Sequence, residues 1–284
     1  MLPGYRLLCA AKHRLVFVCW LMTCAPACLA NADNSAVFEA GAGAFAISLP
    51  AYPGSSDQSQ YVLPFPYIYY KSERVTVDRE GVIGSLLKGE RWEIDASFAA
   101  GIPVRSDDSD IRQGMPDLDW TLEAGPRLLY YFSGNEEQGN YLRSHFFVRK
   151  AFATDLTYLD QIGYRAGLGL ELQRQFVAFN GKPLIWTNRL TALAATENYL
   201  NYLYGVPAAY ATAGRPEFSS KGGFSGAEFA SVVSVRVGNA WIGAFARYAR
   251  FAGTTQSDSA LLEVNANWTV GVGVVWIFRS NRKL

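Results

Sequence analysis

The chain of 284 residues is 50% hydrophobic, 18% charged and 14% aromatic, with a mean hydropathy of +0.02 and a formal net charge of +1. That hydropathy is too high for a disordered chain and far too low for a bundle of membrane helices, which excludes both. Basic residues are scattered singly among acids and aromatics, without the clustered Lys/Arg field that nucleic acid binding requires.

At the N-terminus, Arg6, Lys12 and Arg14 precede an uncharged stretch from Leu15 to Ala30, the pattern of a secretory signal peptide. Cleavage after Ala30 or Ala32 divides the chain into a signal, 1–32, and one mature domain, 33–284. The rival reading makes Cys24 or Cys28 the lipid-modified first residue of a lipoprotein, although Leu21-Met22-Thr23-Cys24 matches that motif loosely. All four cysteines, Cys9, Cys19, Cys24 and Cys28, precede the cut. The mature chain is therefore expected to hold no disulfide and no thiolate metal site. Removing three basic residues from 26, against 25 acidic, turns the net charge from +1 to −2.

No later segment supplies the roughly 18 consecutive apolar residues of a membrane helix; what recurs is period-two alternation. Weaker alternating stretches lie near 36–48 and 61–70, followed by two short segments, Arg74–Asp78 and Val82–Lys88, around the turn-like Asp78-Arg79-Glu80-Gly81. Next, Trp92, Ile94, Ala96, Phe98, Ala100, Ile102 and Val104 oppose Arg91, Glu93, Asp95 and Ser97. Leu118, Trp120, Leu122, Ala124, Leu128 and Tyr130 oppose Asp119, Thr121, Glu123 and Arg127. After a stretch at 141–152, Ile162, Tyr164, Ala166, Leu168, Leu170 and Leu172 oppose Gln161, Arg165, Glu171 and Gln173. Stretches at 184–195, 226–237 and 240–252 lead to the last strand, where Val264, Ala266, Trp268, Val270, Val272, Val274, Trp276 and Phe278 share one parity.

A soluble sandwich also alternates, but its strands usually run about 5–6 residues, whereas membrane strands need about 9–11. The long stretches, the aromatics toward the ends of the apolar face, and charges of both signs on the opposite face predict an all-β, antiparallel transmembrane β-barrel. The segments number twelve, or ten if short ones merge. With both termini in the periplasm, the long links 50–59, 105–117, 197–223 and 253–260 fall outside, and 71–73, 89–90, 180–183 and Gly238-Asn239 fall inside. Ser133–Asn140 is the exception, too long for an inner turn. Pro64, Pro66 and Pro126 also sit inside expected strands, where each removes a ladder donor.

Candidate chemistry is sparse. The mature chain has one histidine, His145, in an expected strand; a Ser-His hydrolase would need it beside a serine and a carboxylate, and the plainer reading is a hydrogen-bonded lumen residue. Asp107, Asp108, Asp110, Asp117 and Asp119 could offer oxygen ligands to calcium, but their spacing is not that of a helix-loop-helix site. The plainer reading is an external acidic loop. Residues 197–223 carry Tyr199, Tyr202, Tyr204, Tyr210 and Phe218, which suits either a ligand platform or plug, or a loop that caps the barrel and packs on itself. No catalytic, cofactor-binding or metal-binding residue is expected.

The ordered set Pro50–Ser55 (PAYPGS), Leu63–Tyr67 (LPFPY), Asp78–Gly81 (DREG), Ser106–Asp108 (SDD), Gly114–Asp119 (GMPDLD), Leu122–Pro126 (LEAGP), Tyr204–Val206 (YGV), Ala209–Pro216 (AYATAGRP), Ala244–Tyr248 (AFARY) and Trp276–Phe278 (WIF) resembles the MipA/OmpV outer-membrane proteins. The resemblance implies residence in the Gram-negative outer membrane, contact with its lipid and lipopolysaccharide, and a non-enzymatic scaffold role between a periplasmic murein hydrolase, a lytic transglycosylase, and a murein synthase. It implies no catalytic residues. The runner-up is a narrow pore for small solutes, with Arg91, Glu93, Arg127, Arg165, Glu171 and Arg189 facing inward; an envelope lipid hydrolase ranks third.

Overall fold

A computed structural model describes residues 37–71, 75–78, 81–177 and 181–281; the expected signal segment and its cleavage site lie outside these residues. Twelve antiparallel strands follow in chain order: β1 (Val37–Pro50), β2 (Gln58–Lys71), β3 (Val75–Asp78), β4 (Gly81–Lys88), β5 (Trp92–Gly101), β6 (Trp120–Asn135), β7 (Asn140–Thr154), β8 (Asp160–Val177), β9 (Pro183–Ala195), β10 (Gly223–Val237), β11 (Ala240–Arg250) and β12 (Ala266–Ser280). Each pairs with its sequence neighbours, and β1 pairs with β12, closing a barrel. Among the described residues one α-helix, α1 (Glu197–Tyr204), lies between β9 and β10. Among the described residues no helix is long and apolar enough to cross a membrane.

The two faces separate as the alternation requires. On β12, Trp268, Val270, Val272, Val274, Trp276 and Phe278 are exposed while Asn267, Thr269, Val275 and Ile277 point into the barrel and are buried. Around the outside, Leu122, Leu128, Leu168, Leu170, Leu190, Val233 and Val272 form an apolar belt. It is bounded at one end by Trp92, Tyr130, Phe176, Trp186 and Trp276 and at the other by Trp120, Tyr164, Phe224 and Trp268. Trp268 and Trp276 are eight residues apart, about 27 Å along a strand at roughly 3.4 Å per residue.

Four expectations from the sequence are corrected. The 133–140 link is a tight turn, because β6 runs on to Asn135 and β7 begins at Asn140; Asn135 Oδ1 accepts the Gln138 N–H at 2.9 Å, and Gly139 takes φ +70° where a side chain would be strained. Ile162 points inward although it shares sequence parity with the outward Tyr164. A bulge at Gly163, φ +130°, flips the face between them. Val104 and Leu118 lie outside the strands, paired with each other and buried in the cap described below. Arg91 belongs to the β4–β5 turn, where its carbonyl accepts the Tyr131 N–H at 2.7 Å.

The prolines also find their reasons. In the β1–β2 register Pro64 and Pro66 oppose Ala44 and Ala42. Phe38, of the same parity as those alanines, turns both its backbone N–H and its C=O toward Asn281 on the β12 side. Pro64 and Pro66 therefore direct their missing donors away from β1, toward a flank where, among the described residues, β3 pairs only with Tyr70 and Lys71. For Pro126, the β6–β7 ladder skips Gly125 and Pro126. Gly125 lies so close to the Val148 carbonyl that a Cβ there would stand 2.0 Å from its oxygen.

Candidate functional site: a capped lumen with two walls

The lumen is lined on β5–β10 by ion pairs. Asp95 accepts both Arg127 Nε, at 3.0 Å, and Nη2, at 2.7 Å. Glu171 sits between Arg143, at 2.6 Å, and Arg189, and also accepts the Tyr141 hydroxyl at 2.8 Å. Glu123 lies between Arg149 and Arg165, and Arg165 reaches on to Glu228 at 3.2 Å. Glu39 and Arg236 pair at the turn end. Asp95 and Glu171 are almost fully buried, at 1% and 2% exposure, so each carboxylate requires the guanidinium beside it. Sequence alternation found Asp95, Glu123, Arg127, Arg165, Glu171 and Arg189; it missed Arg143, Arg149, Glu228 and Arg236, because a single charge in a weakly alternating stretch does not announce its face.

The opposite wall is richer in apolar side chains, with Glu39, which accepts the Tyr67 hydroxyl at 3.4 Å, set among them. Phe45, Phe65, Tyr67, Tyr69, Trp241, Val275 and Ile277 face inward from β1, β2, β11 and β12, with Tyr67, Val275 and Ile277 buried. Gly271 on β12 leaves room for the ring of Phe245 across the strand, and Gly273 faces the Phe45 Cβ.

The loop end is closed. Tyr52, Val104, Leu118, Leu200, Leu203, Tyr204, Val206, Phe251, Leu261 and Leu262 form a buried core from the loops β1–β2, β5–β6, β9–β10 and β11–β12. Leu200, Leu203 and Tyr204 are the buried stripe of α1 at helical spacing. Hydrogen bonds lock the loops together: Tyr204 Oη donates to the Pro53 carbonyl at 2.8 Å, Tyr52 Oη to the Leu261 carbonyl at 2.8 Å, and Ser259 Oγ to the Tyr204 carbonyl at 2.7 Å. Arg112 donates to the Leu203 carbonyl and Arg215 to that of Ile111, at 3.2 and 2.6 Å. Burial pushes the Tyr52 and Tyr204 phenols well up, and draws Arg112 down from its ordinary value. From the lumen side of α1, Tyr199 donates to Glu123 at 2.9 Å. Residues 197–222 thus cap the barrel and pack on its loops, one of the two alternatives the sequence left open.

The remaining candidates are dispersed. His145 is buried with Nε2 2.9 Å from Thr191 Oγ1, and among the described residues neither a serine nor a carboxylate is hydrogen-bonded to it. In the acidic loop, Asp117 accepts the Ser106 N–H at 2.7 Å, Asp119 accepts the Tyr158 hydroxyl, and Asp108 faces Arg105 at the surface. Asp117 and Asp119 are spent on loop structure, and among the described residues no group of three or more His, Cys, Asp or Glu could hold a metal ion.

The fold and this interior define a closed antiparallel β-barrel with a polar ladder on one wall and a packed cap over one mouth. A family model described as MltA-interacting protein MipA matches residues 42–278, and the chain belongs to that family. No curated protein sequence matches it significantly. Among solved structures it is similar to the β domain of the Bordetella autotransporter BrkA, at 13% identity over 84% of this chain and 98% of that one, with a TM-score of 0.37. It is also similar to the monoaromatic hydrocarbon channel CymD, at 10% identity over 86% and 89% with TM-score 0.32. A FadL homologue of Pseudomonas aeruginosa matches at 7% identity over 87% and 91%, with TM-score 0.29.

About half of the motifs that carried the family resemblance lie in the cap loops, and the rest lie in strands. Ser106 Oγ donates to the Pro116 carbonyl at 2.6 Å, Val104 bridges Leu118 and Val206 bridges Phe218, and Gly54 N–H donates to Asn267 Oδ1.

Proposed function

We propose that the protein is a non-catalytic resident of the outer membrane that stands as an envelope scaffold, with its short turns in the periplasm and its cap outside. The carrying observation is the outward belt of leucine and valine bounded by two aromatic rows, the surface that a hydrocarbon layer with headgroup interfaces on both sides selects. The first 32 residues serve in this reading as a removable secretory signal. Exposed Arg105, Asp107 and Asp108 on the cap meet lipopolysaccharide. Delivery to the outer membrane is tested by gradient fractionation of the envelope; recovery of folded protein without detergent in the aqueous fraction rejects this reading.

The scaffold role follows from the family's description as interacting with a murein-cutting enzyme, and the periplasmic rim is where such a partner would dock. The rim offers the turns Gly89–Arg91, Glu136–Gly139 and Gly238-Asn239, with Glu136 held by Arg143 at 2.8 Å. A stable interface buries about 800 Å² per partner, more than one such turn supplies, so binding here is weak and spread over several turns. Retention of a purified lytic transglycosylase on the immobilised barrel is expected, and its loss when Glu136–Gly139 is replaced by Gly and Ser. Undiminished retention by that variant rejects this surface. The solute-pore reading draws on the inward ion-pair ladder, but the packed cap stands against it.

A further inference from the structure

The barrel wall is thinnest between β2 and β5. Among the described residues, β2 has a partner on its β3 side only at Tyr70 and Lys71, beside the turns. The β3–β4 hairpin is short, pairing Val75–Asp78 with Gly81–Gly84. β4 in turn meets β5 only from Glu93 to Asp95, so Ala96–Gly101 pair with β6 alone. Among the described residues, Gln58–Tyr69 of β2 and Ala96–Gly101 of β5 thus have no strand paired on the sides toward the hairpin.

An unpaired edge in hydrocarbon is costly because each free N–H or C=O lacks water. The sequence reduces that cost on β2: of the residues that turn their backbone donors to this flank, Pro64 and Pro66 have none. Outside, Val62 and Ile68 are exposed, Val62 at 75%. Inside, Leu63 remains 41% exposed although its parity points it into the barrel, and Phe65 and Tyr67 continue the apolar wall behind it. Apolar side chains of the outer face and of the lumen wall therefore lie next to each other along this stretch of β2.

We infer that the gap between β2 and β5 is a lateral portal through which the acyl chain of a membrane lipid enters the lumen and lies against Leu63, Phe65 and Tyr67. The chain suits this wall because it needs apolar contact and no hydrogen-bond partner. The ion-pair wall opposite, already satisfied internally, keeps it on the β2 side. The inference rests on the membrane reading of the barrel, and the experiment separates the two.

A photoreactive benzophenone side chain is placed singly at Leu63, Phe65, Ile68 and Thr187 in the full chain, reconstituted in vesicles of phosphatidylcholine carrying a clickable acyl chain. Ile68 faces out on β2, and Thr187 faces the lumen on the ion-pair wall. Folding is checked by heat-dependent gel mobility. The portal predicts lipid adducts at Leu63 and Phe65 comparable to those at Ile68, with Thr187 at background. Adducts at Ile68 but at neither Leu63 nor Phe65 overturn the portal, and so do equal adducts at Thr187, which would mean lipid throughout the lumen. No adduct at Ile68 in folded protein rejects the membrane reading itself.

Discussion

Tyr199 on the cap helix donates its hydroxyl to Glu123 in the barrel wall at 2.9 Å, and Glu123 is in turn flanked by Arg149 and Arg165. This places the cap and the ion-pair ladder in one hydrogen-bonded network. A cap tied only by loop contacts would move independently of the barrel; here its position is coupled to the charge balance of the lumen.

Replacing Tyr199 with Phe removes the hydroxyl and leaves the ring. A hydrogen bond to a charged acceptor is worth about 1.5–3 kcal/mol, a cost that falls on the cap. Limited proteolysis within 197–222 should accelerate while heat-dependent gel mobility of the barrel stays unchanged. An unaltered cleavage rate would show that the apolar core holds the cap alone.

Arg127→Ala leaves Asp95 buried without its partner, an error that costs about 3–5 kcal/mol in comparable buried pairs. Urea unfolding in detergent micelles should show that loss. The double change Arg127→Gln with Asp95→Asn should recover most of it, because no uncompensated charge remains. Equal instability of the single and double variants would assign the effect to packing.

The phenols of Tyr52, Tyr199 and Tyr204 are held above their ordinary value, with burial the first cause in each. Their neutral forms are favoured in the folded cap, so the stability they contribute is complete below the unfolded tyrosine pKa of about 10 and declines as pH rises above it. Tyrosinate absorbance should reveal delayed, cooperative ionisation accompanied by cap opening, with the strand circular dichroism intact. Simple titration of every tyrosine near the unfolded value would contradict the packed cap.

In planar bilayers the intact protein should carry no stepwise current, since the cap core closes the loop end. Replacing residues 197–222 with a short turn should produce a conductance. Steady current from the intact, folded chain would revive the pore reading.

The period-two pattern located eleven segments and the outward face of β12, because lipid accepts only apolar side chains and the pleat fixes which residues meet it; the turn-like Asp78–Gly81 split one segment to give twelve. The pattern failed at Ile162, Val104 and Leu118, three apolar residues in phase with lipid-facing neighbours that are buried instead. A bulge or a loop core reads the same as a strand in the alternation, since both select apolar side chains. The candidate site was only partly legible: alternation sorted six of the paired charges to the inside, but gave no partner for any of them.

The sequence alone determined a barrel, its face assignment and its family, since those depend on side-chain periodicity and on motifs local in the chain. The tertiary structure decided that the mouth is covered, that the lumen has a charged wall and a more apolar one, and that two prolines border an unpaired edge. These depend on which distant strands and loops become neighbours. Arg215 and Ile111, or Tyr204 and Pro53, meet only once the ring has closed.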